Sequence, residues 1–160
     1  MKNMPGFEES YLGQLRKLVG HRKLITPAAS AVVRDDSGGV LLIRRRDNLE
    51  WAWPAGSMEL EQSVYDCLVQ EVKEETGLDV ISATLFAIYS GARFAGKDMW
   101  DNYYQPLLFS FKVDEWSGTL VTETDETVDA RFFPIDQVPD SFAREAMEDL
   151  VRFDGQVILK

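Results

Sequence analysis

Three glutamates crowd the short run QEVKEE: Glu71, Glu74 and Glu75. At i, i+3 and i+4 they share one edge of any helix that carries them, and like charges at that spacing repel. The sequence also marks where such a helix begins and ends. Ser63 is a good N-cap, and Asp66 three residues on completes a capping-box-like pair. Gly77 suits the C′ position beyond the last turn. A helix is therefore predicted over 64–76. Its acids fall in the last turns, where the negative end of the helix dipole disfavours them. A hard divalent cation would compensate, because Mg2+ and Mn2+ prefer carboxylate oxygens and Mg2+ shares its shell with substrate phosphates. A solvated acidic face with Lys73 nearby is the alternative, and the helix alone does not choose between them.

Other elements must position this edge. Val64, Leu68 and Val72 form an i, i+4, i+8 stripe that should face a core, with Cys67 as buried filler beside it. Upstream, EESYLGQLRKLVG reads as a short amphipathic helix stopped by Gly20, with Tyr11, Leu15 and Leu18 at helical spacing. LITPAASAVVRD and VLLIRRR are strand candidates separated by the turn DDSGG, and DNLEWAWPAG is a loop. Downstream, LDVISATLFAIYSG and NYYQPLLFSFKVD are strands joined by a polar loop. An acidic loop follows, then a short strand at ARFF, and SFAREAMEDLVRF closes as a helix with Ser141 as its N-cap. Strands and helices interleave without a strict βαβ repeat. The expected class is α/β (α+β), a mixed β-sheet sandwiched between α-helices. Residues 1–24 form an N-terminal helical extension, residues 25–160 the main domain, and the whole is one compact unit.

Composition narrows the function. The 160 residues are 45% hydrophobic and carry a formal charge of -10. That charge argues against a general grip on nucleic-acid backbone, which needs clustered Lys and Arg. A small phosphorylated substrate remains compatible, since a bound cation supplies positive charge. No run approaches the roughly 18 apolar residues of a membrane span, and the N-terminus lacks an apolar secretory core. The single cysteine excludes an intrachain disulfide and a cysteine-rich zinc site, which favours a reducing cytoplasm.

In its surroundings the acidic helix resembles the Nudix (MutT-like) hydrolase family. The family signature is G, five residues, E, seven residues, then R-E-U-x-E-E-x-G-U, with U a bulky apolar residue. Here the corresponding positions are Gly56, Gln62, Gln70, Glu71, Val72, Glu74, Glu75, Gly77 and Leu78, so seven of nine match with every spacing intact. VLLIRRR resembles the strand before the signature, WAWPAG its W-x-x-P-x-G approach, and ETDETVDARFFPIDQVP its later acidic loop and D-x-x-P turn. The resemblance covers roughly residues 25–140 and implies the Nudix fold.

It also implies hydrolysis of a diphosphate linked to another moiety, commonly a nucleoside diphosphate derivative. Mg2+ or Mn2+ is the implied cofactor. Glu71 and Glu75 are the implied metal ligands, with Glu74 close behind and the backbone carbonyl of Ala55 as a further one. The general base differs among family members, being a glutamate of the helix (Glu71 or Glu74 here) or an acid of a distant loop. Of Glu123, Asp125 and Glu126, Glu126 is preferred. Trp51, Trp53, Phe94, Trp100, Tyr103 and Tyr104 could stack a base; the basic runs RKLVGHRK and RRR could touch phosphates, though surface charge is the plainer reading, with Arg44 or Arg46 facing the sheet surface. Trp51, Arg44 and Tyr103 are taken as substrate-binding candidates, while His21 is read as a loop residue.

The two mismatches are Gln62 and Gln70, a Glu and an Arg that pair with each other in the family. Losing one partner would strand a charge at a cost of about 3–5 kcal/mol. Losing both leaves two amides that can still hydrogen-bond, because each donates and accepts. A neutral replacement for the ion pair is therefore expected, with Gly56, Gln62, Gln70 and Gly77 as the structural members of the motif. A catalytically weakened nucleotide-binding or sensor module is the alternative. The family's isoprenoid diphosphate isomerases rank last, because they need a specific cysteine that Cys67 does not match. A homodimer is an open expectation.

Overall fold

The computed structural model describes residues 6–139 and 141–160. Helix α1 (Tyr11–Val19) precedes β1 (Leu24–Val32) and β2 (Val40–Arg45). Two short strands, β3 (Trp51–Ala52) and β4 (Ala55–Ser57), lead into α2 (Val64–Thr76). The long strands β5 (Asp79–Ser90) and β7 (Tyr103–Ser117) flank the short β6 (Gly96–Lys97). The chain closes with β8 (Thr127–Phe133), α3 (Ser141–Arg152) and β9 (Ile158–Leu159). The six-stranded sheet has the order β4-β1-β7-β5-β9, with β6 on β7, and a three-stranded sheet has the order β3-β2-β8. β1 runs parallel to β7, whereas β5 and β4 run antiparallel to their neighbours. The mixed sheet expected from the sequence is present, and a smaller antiparallel sheet joins it.

Helices cover both faces, and side-chain alternation along the strands explains how. Ala29, Ala31 and Val33 of the β1 region pack with Leu41 and Ile43 of β2 against Cys67, Leu68 and Val72 of α2. The intervening Val32, Val40 and Leu42 join Phe86 and Tyr89 against Ala143, Ala146 and Met147 of α3. VLLI of β2 is thus buried on both faces, as its unbroken apolar run requires. Each fully buried Leu or Val contributes about 1.5–3 kcal/mol to this packing.

The bounds of α2 follow from its caps. Ser63 Oγ accepts the Asp66 N–H at 3.0 Å and donates to the Asp66 carboxylate at 2.6 Å. Gly77 takes the left-handed conformation (φ 75°) and returns its N–H to Lys73 O. The loop expected at 47–56 is shorter, since β3 and β4 pair with β2 and β1. Ser141 opens α3, and its N-cap side chain lies outside the described residues, as do Met1–Pro5 of the N-terminal extension.

Helix α1 departs from the sequence expectation in its orientation. Gly13 and Arg16 form its buried face, while Tyr11 and Leu18 are 37% and 84% exposed. The reason is polar: the Arg16 guanidinium reaches the carbonyls of Gly20, Arg22 and Tyr103 at 2.6–3.2 Å. Three charge-assisted bonds to backbone carbonyls outweigh an apolar stripe of three residues. Among the described residues, no helix is long and apolar enough to cross a membrane.

Candidate metal centre

Glu71 and Glu75 stand one turn apart on α2. Glu126 arrives from the loop before β8. One carboxylate oxygen of each lies within 4.8 Å of the others. Glu75 is 2% exposed, and its Oε2 accepts the Ala55 N–H at 2.8 Å. The β1–β4 register explains that contact. Ala31 N–H bonds Pro54 O and Met58 N–H bonds Pro27 O, so main-chain pairing alternates and Ala55 is turned off the sheet. The Ala55 carbonyl leaves the strand on the same side as its N–H.

Gly56 is required by contact. A Cβ built there would lie 2.1 Å from the Glu71 carboxyl carbon. The signature glycine is therefore the space that Glu71 occupies. Glu74 stands outside the cluster: its Oε1 accepts from Gln70 Nε2 at 2.8 Å. Gln62 Nε2 in turn donates to Gln70 Oε1 at 2.8 Å, so the two glutamines meet as expected and hold a neutral bond.

The electrostatics of the cluster are those of a site short of positive charge. Burial, then Glu126 and Glu74, push Glu71 up to about 8. Burial and the facing Glu71 carboxylate push Glu75 well above the usual range. Glu126 is raised by burial and by Glu74. On Glu75 the Ala55 N–H opposes this first, and Arg45 is the opposing influence that all three acids share. Its guanidinium makes a two-point pair with Asp47, Nε to Oδ1 at 2.9 Å and an NH2 group to Oδ2 at 2.6 Å. That pair raises Arg45, and it holds Asp47 low although burial pushes Asp47 the other way. Cys67, on the core side of α2, is pushed up to about 11 by burial and by Glu71, so its thiol is not a nucleophile.

Converging hard oxygen donors in a dry setting, with one arginine nearby, fit a divalent cation of the Mg2+ or Mn2+ type. Glu71, Glu75 and Glu126 would hold it, with the Ala55 carbonyl turned the same way as its neighbours.

The candidate substrate residues are scattered. Arg44 is exposed and donates to Leu49 O at 2.9 Å. Trp51 is half-buried, with the Arg131 guanidinium 5.0 Å over its ring and Phe133 against its edge. Tyr103 is 48% exposed and begins β7, seven residues before the Ser110 that aligns with Ser30 and, across β1, with Ala55. At about 3.3 Å per residue that is roughly 20 Å along the strand. Within the RRR run, the sequence did not single out Arg45, the arginine that acts on the acids. The signal was strand parity, because Leu41, Ile43 and Arg45 alternate onto the α2 side. Arg46 does something else. It bonds Glu123 and the carbonyls of Thr124 and Thr127, fixing the loop that carries Glu126.

A NUDIX domain matches residues 24–153. The NAD-capped RNA hydrolase NudC of Vibrio atlanticus is 29% identical over 137 residues, 82% of this chain and 47% of that protein. A putative ADP-ribose pyrophosphatase, YjhB of Bacillus subtilis, is 29% identical over 123 residues, 75% of this chain and 56% of that protein. The chain thus spans about half the length of these curated relatives. Among solved structures, the MutT mutator protein of Bacillus halodurans superposes with a TM-score of 0.64 at 23% identity, covering 84% of this chain and 86% of that one. A domain match of that extent, on a fold shared with the MutT structure, makes this chain a member of the Nudix family.

Proposed function

We propose that this chain is a divalent-metal-dependent pyrophosphohydrolase that cleaves a diphosphate linkage in a nucleoside diphosphate derivative by water attack on phosphorus. The observation that carries the reading is the meeting of Glu71, Glu75 and Glu126 within 4.8 Å at the backbone of Ala55. The names of two relatives, an NAD-capped RNA hydrolase and a putative ADP-ribose pyrophosphatase, fall in the same substrate class. When bound, Mg2+ or Mn2+ supplies neutralisation of the diphosphate and acidifies water.

The chain's own residues do the rest. Glu75, sealed from solvent, would be a fixed ligand, and it also holds the Ala55 N–H. Glu71 fills the space above Gly56 and aligns with Glu75 on the helix edge. Glu126 is half-buried on a loop clamped by Arg46, where it can take a proton from the attacking water, and Glu71 is the second candidate for that role. Arg45 is the cation placed to meet a phosphate oxygen beside the acids. Glu74, bonded to Gln70, orients the edge. Trp51, Arg44 and Tyr103 remain substrate-binding candidates, and Tyr103 would be reached only by an extended substrate.

The test is product release from ADP-ribose, nucleotide sugars, dinucleoside polyphosphates and nucleoside triphosphates with Mg2+ or Mn2+, alongside Glu75→Gln. Metal-dependent turnover lost in the variant supports the hydrolase. Silence across the panel with nucleotide binding retained favours the sensor alternative. The unbroken Gln62–Gln70 bond speaks for the enzyme, since the brace that the mismatches put in doubt is still made.

A further inference from the structure

Helix α1 lies outside the stretch that matches the NUDIX domain, residues 24–153, yet it is tied at both ends. Arg16, 4% exposed, fastens its last turn to the Tyr103 carbonyl of β7 at 2.8 Å. Its first turn is fastened elsewhere: the Tyr11 N–H donates to Glu59 Oε2 at 2.8 Å, across 48 residues. Glu59 belongs to the loop between Gly56 and α2. From Glu59 the hydrogen bonds continue in one direction. The Glu59 N–H donates to Gln62 Oε1 at 3.0 Å, Gln62 Nε2 to Gln70 Oε1 at 2.8 Å, and Gln70 Nε2 to Glu74 Oε1 at 2.8 Å.

Each amide accepts from behind and donates forward, so its orientation is fixed by its neighbours. The chain runs from the free N–H groups of a helix start, which favour carboxylates, to a carboxylate on the acidic edge of α2. We infer that α1 is a positioning element of the metal centre, acting through Glu59, Gln62 and Gln70 to hold Glu74 and the signature loop. The inference rests on the metal-binding reading above. The amide pair is what makes the coupling possible, because a neutral relay passes orientation along without burying a charge, and its polarity allows one arrangement only.

The experiment uses the full chain and reads the Mn2+ dissociation constant by calorimetry without substrate, beside the melting temperature. Tyr11 is the first helical residue, where proline is tolerated. Ser10 already has the extended conformation (φ -65°, ψ 157°) that precedes proline comfortably. Tyr11→Pro therefore removes the one N–H and keeps the helix, while Tyr11→Ala removes the ring and keeps the N–H. Tyr11→Pro is expected to weaken Mn2+ binding about three-fold relative to Tyr11→Ala, and Gln70→Leu about three- to ten-fold. Gln62→Glu alone turns the Gln70 amide around and takes its donor from Glu74, so it also weakens binding. Adding Gln70→Arg restores it, because an arginine donates to both carboxylates. Equal Mn2+ affinity in Tyr11→Pro, Tyr11→Ala and the native chain would overturn the coupling while leaving the metal centre standing. No Mn2+ binding by the native chain would overturn the metal-binding reading and the coupling with it.

Discussion

Glu75 and Asp149 are two carboxylates sealed from solvent to the same degree, 2% and 1% exposed, on helices covering opposite faces of the sheet. Asp149 is answered by its neighbours. It accepts the Tyr89 hydroxyl at 2.8 Å and pairs with Lys160 at 2.8 Å. Glu75 receives one backbone N–H and faces two further acids. Burial of a carboxylate is costly unless it is paired. On the α3 side the fold supplies the pair, so Asp149 is a structural residue. On the α2 side the fold withholds it, and the missing positive charge is what the cation of the proposed metal centre would supply.

Neutralising Glu75 puts this contrast under the greatest strain. Glu75→Gln should lower metal-dependent turnover by about 10³-fold, the scale of losing a group that stabilises developing charge. An unchanged rate would place the centre elsewhere. Gly56→Ala attacks the same site through space: its Cβ would meet the Glu71 carboxyl at 2.1 Å, so metal affinity should fall by about 10–100-fold. Calorimetric titration with Mn2+ reads this directly.

The α3 side should respond in stability instead. Asp149→Asn is expected to lower unfolding free energy by about 2 kcal/mol in a urea titration, with Mn2+ affinity unmoved. A change in metal affinity would erase the distinction. Arg45→Gln should raise KM for a diphosphate substrate about ten-fold while changing kcat less, which separates substrate binding from chemistry.

The smallest effect is on stability against pH. Glu71 has a folded pKa of about 8 against an ordinary 4.5, and Glu75 shifts the same way. A raised carboxyl costs stability where both folded and unfolded states are ionised, and the cost is relieved as pH falls through the folded value. The metal-free melting temperature should therefore rise by on the order of 5 °C from pH 9 to pH 6. Saturating Mg2+ should flatten that rise. A metal-free protein that loses stability over the same window would contradict the raised pKa values.

Local order was legible wherever one stretch of chain settled the matter. Ser63, Asp66 and Gly77 bound α2 from their own chemistry, and the observed helix spans the predicted residues. The 3.6-residue period put Glu71, Glu74 and Glu75 on one edge, and the Gln62–Gln70 bond was expected from the family resemblance, in which these two positions pair. Helix α1 was legible as a helix but not in its orientation, because Arg16 bonds not only the nearby carbonyls of Gly20 and Arg22 but also that of Tyr103, far along the chain.

Sequence alone established which residues could share an edge, where the helices start and stop, and that the spacing from Gly56 to Leu78 was intact. Tertiary contacts settled that Glu126 joins Glu71 and Glu75 while Glu74 turns to Gln70, that Arg45 and not Arg44 stands near the acids, and that Glu75 is sealed and Asp149 neutralised. The physical reason is range. Caps and helical periods act over a few residues, whereas burial, charge pairing and the space above Gly56 depend on atoms brought together from distant parts of the chain.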